Sequence, residues 1–511
     1  MTVDPSVQRL IDGVLVPGFV GTSPPDWLHR CLEDGLAGVC WFRHNVPDIE
    51  TARSLADELH GVRGDALVLC DEEGGSVTRL EAATGSSWPG NAALGVVDDA
   101  AATEAAGVGV GAMASRAGID VVLAPTVDVN SEPDNPVIGV RSFGADPALV
   151  ARHSAAFVRG LQSTGVAACA KHFPGHGATR VDSHVGLPTV DADLDTVRRR
   201  DLTPFGAAVE AGVRCVLTAH VVYPALDSEP ATMSAPWMSL LRDEVGFDGV
   251  VVSDALDMRA ISRRVGRGPG AVAALRAGVD LICIGNPSFP ERYDSVAVLD
   301  EVRRAVARAV ADGWLPVERL QAAVDRIAAL ADWTSRRDRA SSPPMPLPTV
   351  TGSSSGGQDA QSRRDVELGR ELAHRAIRTD RVERLSEPPV VVVEHRTDLA
   401  AGMHSNWVVA ALTARDPGAA AYEADAPVDL DEARKAWTAD GGRPVVLVTD
   451  GVAGDALAQA IRAERPDAVV VHTGPAGAAD SIGPPLLRSY GAGRVNADAV
   501  ADVLMGPDRD R

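Results

Sequence analysis

Lys171, His172, His176, Asp182 and His184 fall within one 14-residue segment, which brings an ammonium, three imidazoles and a carboxylate together. Imidazoles titrate near neutrality, and beside fixed charges they can move protons while their neighbours bind hydroxyls. The apolar run 166–170 reads as a short buried strand that ends where these residues begin. Pro174, Gly175 and Gly177 then force a turn. Reactive side chains gather on such loops, held by a rigid scaffold. Elsewhere Asp71 follows the apolar run 66–70, Asp254 follows 249–253, and Arg141 lies in the loop 135–143. Two carboxylates (Asp254, Asp71), an Asp–His pair (Asp182, His184) and three cations or donors (Arg141, Lys171, His172) suit hydrolysis of a glycosidic bond. The same parts serve other chemistries, so the residues alone give a polar, hydrolase-like site without a substrate.

The elements that must position these groups repeat. Strand-like runs at 14–20, 38–42, 66–70, 121–129, 166–170, 215–219, 249–253 and 280–284 are interleaved with helical stretches. The helices are expected at 49–62 (Asp48 as N-cap), 100–117, 146–162, 193–211, 236–244 and 270–277. Eight strand–helix repeats predict an α/β fold, a TIM (β/α)8 barrel. Asp71, Asp128, Lys171, His172, His220 and Asp254 each fall just past a strand's C-terminal end, the face where barrel sites form. An open doubly wound sheet also binds at strand ends, but eight strands, five of them with polar exits, favour closure. Helices at 295–310 and 318–333 complete a catalytic domain expected over residues 1–335. A Pro/Ser/Gly-rich linker is expected over 336–365. Residues 366–511 then predict a smaller α/β sandwich, with strands at 389–393, 444–448 and 468–471 and helices near 366–378, 399–414, 452–463 and 495–504.

Composition removes whole classes of function. Of 511 residues, 49 are Lys or Arg and 70 are Asp or Glu, a net charge of −21 that repels nucleic acid and anionic membranes. No apolar run reaches the ~18 residues a membrane span needs, and no signal peptide is visible at the N-terminus. Six cysteines lack any CxxC spacing, and Cys40, Cys70, Cys169 and Cys283 sit in strand-like runs as small hydrophobes. The expectation is a soluble cytoplasmic protein without disulfides.

The segment from Lys171 to Gly177, with Asp182-Ser183-His184, resembles the signature of glycoside hydrolase family 3 in its bacterial β-N-acetylglucosaminidase branch. Three further motifs follow the family's order: Asp71-Glu72-Glu73-Gly74-Gly75, the stretch from Asn135 to Gly144, and the stretch from Val252 to Met258. The similarity covers residues 10–335. It implies a retaining, two-step mechanism with Asp254 as nucleophile and His184, held by Asp182, as acid and base. It further implies that Asp71, Arg141, Lys171 and His172 grip the sugar at the non-reducing end. An aspartate two residues away can orient the imidazole, whose unperturbed pKa of ~6.5 suits both proton steps. The dyad loop, bearing glycines, is expected to move once sugar binds. Two departures stand out: Ala178 replaces the family's usual aspartate, and Glu72 replaces its commoner glutamine.

The expected function is therefore removal of terminal β-linked GlcNAc from cell-wall muropeptide fragments or chitooligosaccharides. The partner is a small carbohydrate, with no cofactor and no metal, since carboxylate–histidine chemistry needs no ion. A phosphorylase is the alternative within the enzymes, because a neutral histidine does not repel phosphate. A non-catalytic sugar-binding protein is the alternative outside them.

Overall fold

The computed structural model describes residues 4–183, 186–289, 291–335, 357–394, 407–424, 430–438, 442–451, 454–477 and 479–507. Eight parallel strands form the first unit: β1 Leu15–Pro17, β2 Gly38–Trp41, β3 Leu67–Cys70, β4 Val121–Val122, β5 Ala167–Phe173, β6 Cys215–Thr218, β7 Val250–Val252 and β8 Ile282–Gly285. Strands β2 to β7 are hydrogen-bonded in sequence order, and β1 pairs with β8. A bridge from Val252 to Leu281 joins β7 to β8, and Ala37 N–H donates to Asp12 O beside β1. The ring is a (β/α)8 barrel. Its strands are buried throughout, as they must be when helices cover one face and side chains fill the other.

Local signals set the helix starts. Asp48 accepts from Thr51 N (2.7 Å) to open Ile49–Val62, and Asp146 accepts from Ala148 N and Leu149 N (both 3.2 Å) to open Pro147–Gln162. The helix expected at 193–211 is instead two, Leu194–Arg200 and Leu202–Glu210. Pro204 cannot donate to the carbonyl four residues back, so the ladder breaks at Asp201. The stretch 121–129 is a strand only at its first two residues, and the rest is loop that rejoins the sheet at one bridge, Thr126 to Lys171.

The second unit is a six-stranded sheet in the order β11-β10-β12-β13-β14-β9. Its strands are β9 Arg378–Asp380, β10 Val390–Glu394, β11 Ala420–Ala424, β12 Val445–Thr449, β13 Val469–His472 and β14 Leu486–Arg488. Only β9 is antiparallel. Val390, Leu447 and Val470 pack on one face with Trp437 and Ile461, while Val391, Val446 and Val471 pack on the other with Leu412 and Val500. That alternation makes an α/β sandwich. A helix spans Gly357–Ala376, beginning inside the stretch expected to be linker. Over 357–365 Ala360 is the one apolar residue, so the start of this helix lacks the apolar stripe that marks it from residue 366 on. No helix among the described residues is long and apolar enough to cross a membrane, and all six cysteines are free.

Candidate active site

At the C-terminal mouth of the barrel, β3 and β5 deliver opposite charges to one point. Asp71 follows Cys70 at the end of β3, and Glu73 lies two residues on. From β5, Lys171 Nζ lies 2.7 Å from Asp71 Oδ1 and 2.6 Å from Glu73 Oε1. Arg141 meets Glu73 through two parallel bonds, Nε to Oε2 (3.0 Å) and Nη2 to Oε1 (2.8 Å). Such paired geometry fixes the guanidinium in its plane. Burial alone would raise the carboxyls of Asp71 and Glu73. Lys171 and Arg79 overcome it for Asp71, and Arg141 with Lys171 for Glu73, so both are held below the usual range. Asp71, whose side chain is 22% exposed against 3% for Glu73 and Lys171, is the carboxylate of this group most open to a ligand.

His172 continues the network. Its Nδ1 lies 2.8 Å from Asp128 Oδ2 and its Nε2 lies 3.3 Å from Arg141 Nη2. Burial, then Arg141 and Lys171, push its pKa down to about 3, so the ring is neutral at working pH. A neutral ring that donates from Nδ1 to Asp128 accepts at Nε2 from Arg141. Asp128 also accepts from His172 N (3.3 Å) and His176 N (2.6 Å), and burial raises it to about 6.

Asp254 stands two residues past the end of β7, partly exposed, with Oδ1 accepting from Ala255 N (2.8 Å). Its negative charge acts on both His172 and His176, which places it at the same mouth. The following helix, Arg259–Ser262, is capped at Met258, so Asp254 does not serve as its cap. His220 lies just beyond β6. Its Nε2 is 3.0 Å from Ala255 O and its Nδ1 is 2.9 Å from Thr232 Oγ1, so it braces the turn after Asp254 from inside.

Asp71, Arg141, Lys171 and His172 are thus brought into one hydrogen-bonded group. Asp182 lies on the loop after β5, where its carbonyl accepts from Gly186 N (3.0 Å). His184 lies outside the described residues. Glu73 is a member that the sequence alone did not single out, whereas Asp128 was expected at this strand-end face but without a part in the site. Glu73 stands inside the Asp71–Gly75 motif, and a cation pair as large as Lys171 with Arg141 needs a second buried anion beyond Asp71, a signal that was available. Glu72 points elsewhere. Its Oε2 accepts from Arg79 N (2.9 Å) and Leu80 N (3.0 Å), and burial raises its pKa to about 7. Among the described residues no group of three or more His, Cys, Asp or Glu is arranged to hold a metal.

Residues 28–330 match the model of the glycosyl hydrolase family 3 N-terminal domain. The chain belongs to this family. Family 3 relatives include beta-hexosaminidase A of Pseudoalteromonas piscicida, 36% identical over 337 residues, covering 60% of this chain and 55% of that protein. A beta-hexosaminidase of Chromobacterium violaceum is 36% identical over 315 residues, covering 58% of this chain and 86% of that one. This chain therefore spans little more than half the length of the first relative. Among solved structures, the family 3 beta-N-acetylglucosaminidase of Paenibacillus sp. str. FPU-7 superposes with a TM-score of 0.82 at 31% identity. That match covers 98% of this chain and 96% of the other, so it takes in the family 3 barrel and the sandwich together.

Proposed function

We propose that this protein is a retaining exo-β-N-acetylglucosaminidase that removes a terminal β-linked GlcNAc by double displacement, acting in the cytoplasm on muropeptide fragments or chitooligosaccharides. The observation that carries the reading is the fixed ion network of Asp71, Glu73, Lys171, Arg141 and His172 at one barrel mouth with Asp254. The relatives' names supply the sugar.

In the first step an Asp254 oxygen attacks the anomeric carbon. The glycosidic C–O bond breaks, and His184 gives its proton to the leaving oxygen while Asp182 holds the imidazole. In the second step His184 takes a proton from water, the water oxygen bonds to the anomeric carbon, and the bond to Asp254 breaks. Asp71 accepts from sugar hydroxyls, and Lys171 and Arg141 hold it ionised and in place, so little reorganisation is needed when substrate arrives. A neutral His172 adds a ligand contact without repelling cations nearby.

Turnover of p-nitrophenyl β-GlcNAc tests this, with the first-formed anomer read by NMR. The expected result is a β product, with kcat lowered by roughly 10³-fold or more in Asp254→Asn. A 5-fluoro GlcNAc fluoride should label the peptide containing Asp254. Label on another residue, an inverted product, or GlcNAc-1-phosphate as the main product in phosphate buffer would replace the reading.

A further inference from the structure

Ser183 stands between Asp182 and His184, and it is held from the protein interior. The residue is 1% exposed, its Oγ lies 3.1 Å from His176 Nε2, and its carbonyl accepts from Ala260 N (3.4 Å) in the segment that follows Asp254. His176 is buried in turn. Its Nδ1 is 2.7 Å from Thr179 Oγ1, and its backbone N–H donates to Asp128 Oδ1.

These partners fix the tautomer. Thr179 Oγ1 lies 2.9 Å from His176 O, which can only accept and so takes the one hydroxyl hydrogen, and Asn135 Nδ2 also donates to Thr179 Oγ1 (3.3 Å). Toward the ring, Thr179 therefore accepts, and His176 Nδ1 carries the hydrogen. In a neutral imidazole Nε2 then presents a lone pair, so the Ser183 hydroxyl donates to it. Burial and the neighbouring His172 push the His176 pKa down to about 4, which keeps the ring neutral in the working range.

We infer that His176 is a positioning residue: by accepting the Ser183 hydroxyl it ties the segment between Asp182 and His184 to Asp128, the carboxylate that also orients His172. The sugar-gripping imidazole and the proton-transfer segment then share one anchor. The function proposed above did not require His176, whereas this inference rests on its assignment of His184 as the acid and base.

The test is kcat/KM across aryl β-GlcNAc substrates of differing leaving-group acidity, measured on the full chain. A poor leaving group needs protonation, while 2,4-dinitrophenolate does not. Ser183→Ala should lower kcat/KM by roughly tenfold for a phenyl leaving group and leave 2,4-dinitrophenyl nearly unchanged, because the acid is misplaced and the rest is intact. Ser183→Thr keeps the hydroxyl and should restore the wild-type dependence. His176→Asn keeps a donor for Thr179 but its shorter amide has no atom in the place of Nε2 to meet Ser183, and it should steepen the dependence as Ser183→Ala does. Equal losses on both substrates in Ser183→Ala, or none on either, overturn the inference. His184→Ala separates the two levels. If it too shows no added dependence on the leaving group, the acid/base assignment is wrong. If it is steep while Ser183→Ala tracks wild type, the positioning role alone is wrong.

Discussion

The two sides of the barrel mouth are built on different physics. On the side of β3, charges are locked: Glu73 binds Lys171 and Arg141 at once, and Asp71 binds Lys171 and Arg79. The sandwich backs this side. Gly493 packs so closely on Gly75 that a Cβ would come within 2.9 Å of its carbonyl oxygen, and Arg494 donates to Ser87 Oγ (3.0 Å). On the other side, the side-chain contacts within the loop after β5 are neutral, His176 with Thr179 and Ser183 and Asn135 Nδ2 to His176 O (2.8 Å); its charged ties include the Asp128 carboxylate accepting from His176 N and an Arg180–Glu132 pair at the surface. Beyond them the chain reaches Arg180 and Val181, both exposed. Buried ions cannot shift without leaving a charge unpaired, whereas a neutral hydrogen bond contributes only about 1 kcal/mol and exchanges readily for water. On the proposed assignment, sugar recognition sits where rigidity is strongest, and proton transfer where movement costs least.

Glu73→Gln should break the first side and has the largest expected effect. It leaves Lys171 and Arg141 facing a neutral amide in a site 3% exposed at Glu73, and it should destabilise the barrel by about 3–5 kcal/mol in urea unfolding. Ser183→Ala on the other side should cost only about 1 kcal/mol. Equal costs would erase the distinction between the two sides.

Glu72→Gln sharpens it by pH. The Glu72 carboxyl is raised by burial from 4.5 to about 7, so the folded state binds more protons than the unfolded chain between those values. The favourable contribution of the protonated form is present below pH 4.5 and is lost as pH rises through 7. At 1.36 kcal/mol per pK unit this amounts to roughly 3 kcal/mol at pH 8. Glutamine does not ionise, so the Tm advantage of Glu72→Gln over wild type should grow from pH 5 to pH 8. A constant difference would place the ionisation elsewhere.

Much of this was legible in the sequence because local and tertiary signals agree. Aspartates at helix starts, β-branched strand runs and polar strand exits located six barrel helices and all eight strands. They also gathered Asp71, Lys171 and His172 at one end, and the family resemblance added Arg141. What escaped had no local mark. The edge strand β9 (Arg-Thr-Asp) is polar and exposed throughout, and β11 (Ala-Ala-Tyr-Glu-Ala) has no β-branched residue and leaves alternate residues exposed. Glu73 reads as an ordinary acid among 70, and Asp128 is marked only as a strand exit; the pairing of strands shows that Glu73 meets Lys171 and Arg141 and that Asp128 meets His172 and His176. The contact between the sandwich and the loop of residues 75–90 joins glycines and a serine hundreds of residues apart, and such residues announce nothing by type.

Arg494→Ala has the smallest expected kinetic effect and bears on that contact. Arg494 reaches Ser87, whose neighbour Trp88 accepts from Gly75 N (2.9 Å), and Gly75 lies two residues from Glu73. The chain of contacts ends on the carboxylate that fixes both cations of the proposed sugar site. Removing one surface-fed hydrogen bond and its packing should cost about 1–2 kcal/mol and loosen residues 75–90 without touching the loop after β5. The expected kinetic signature is a KM raised about two- to fivefold with kcat and the leaving-group dependence unchanged, the mark of weakened uniform binding. A fall in kcat, or a steeper leaving-group dependence, would mean that the sandwich also governs the proton-transfer side, and that the two sides are coupled through it.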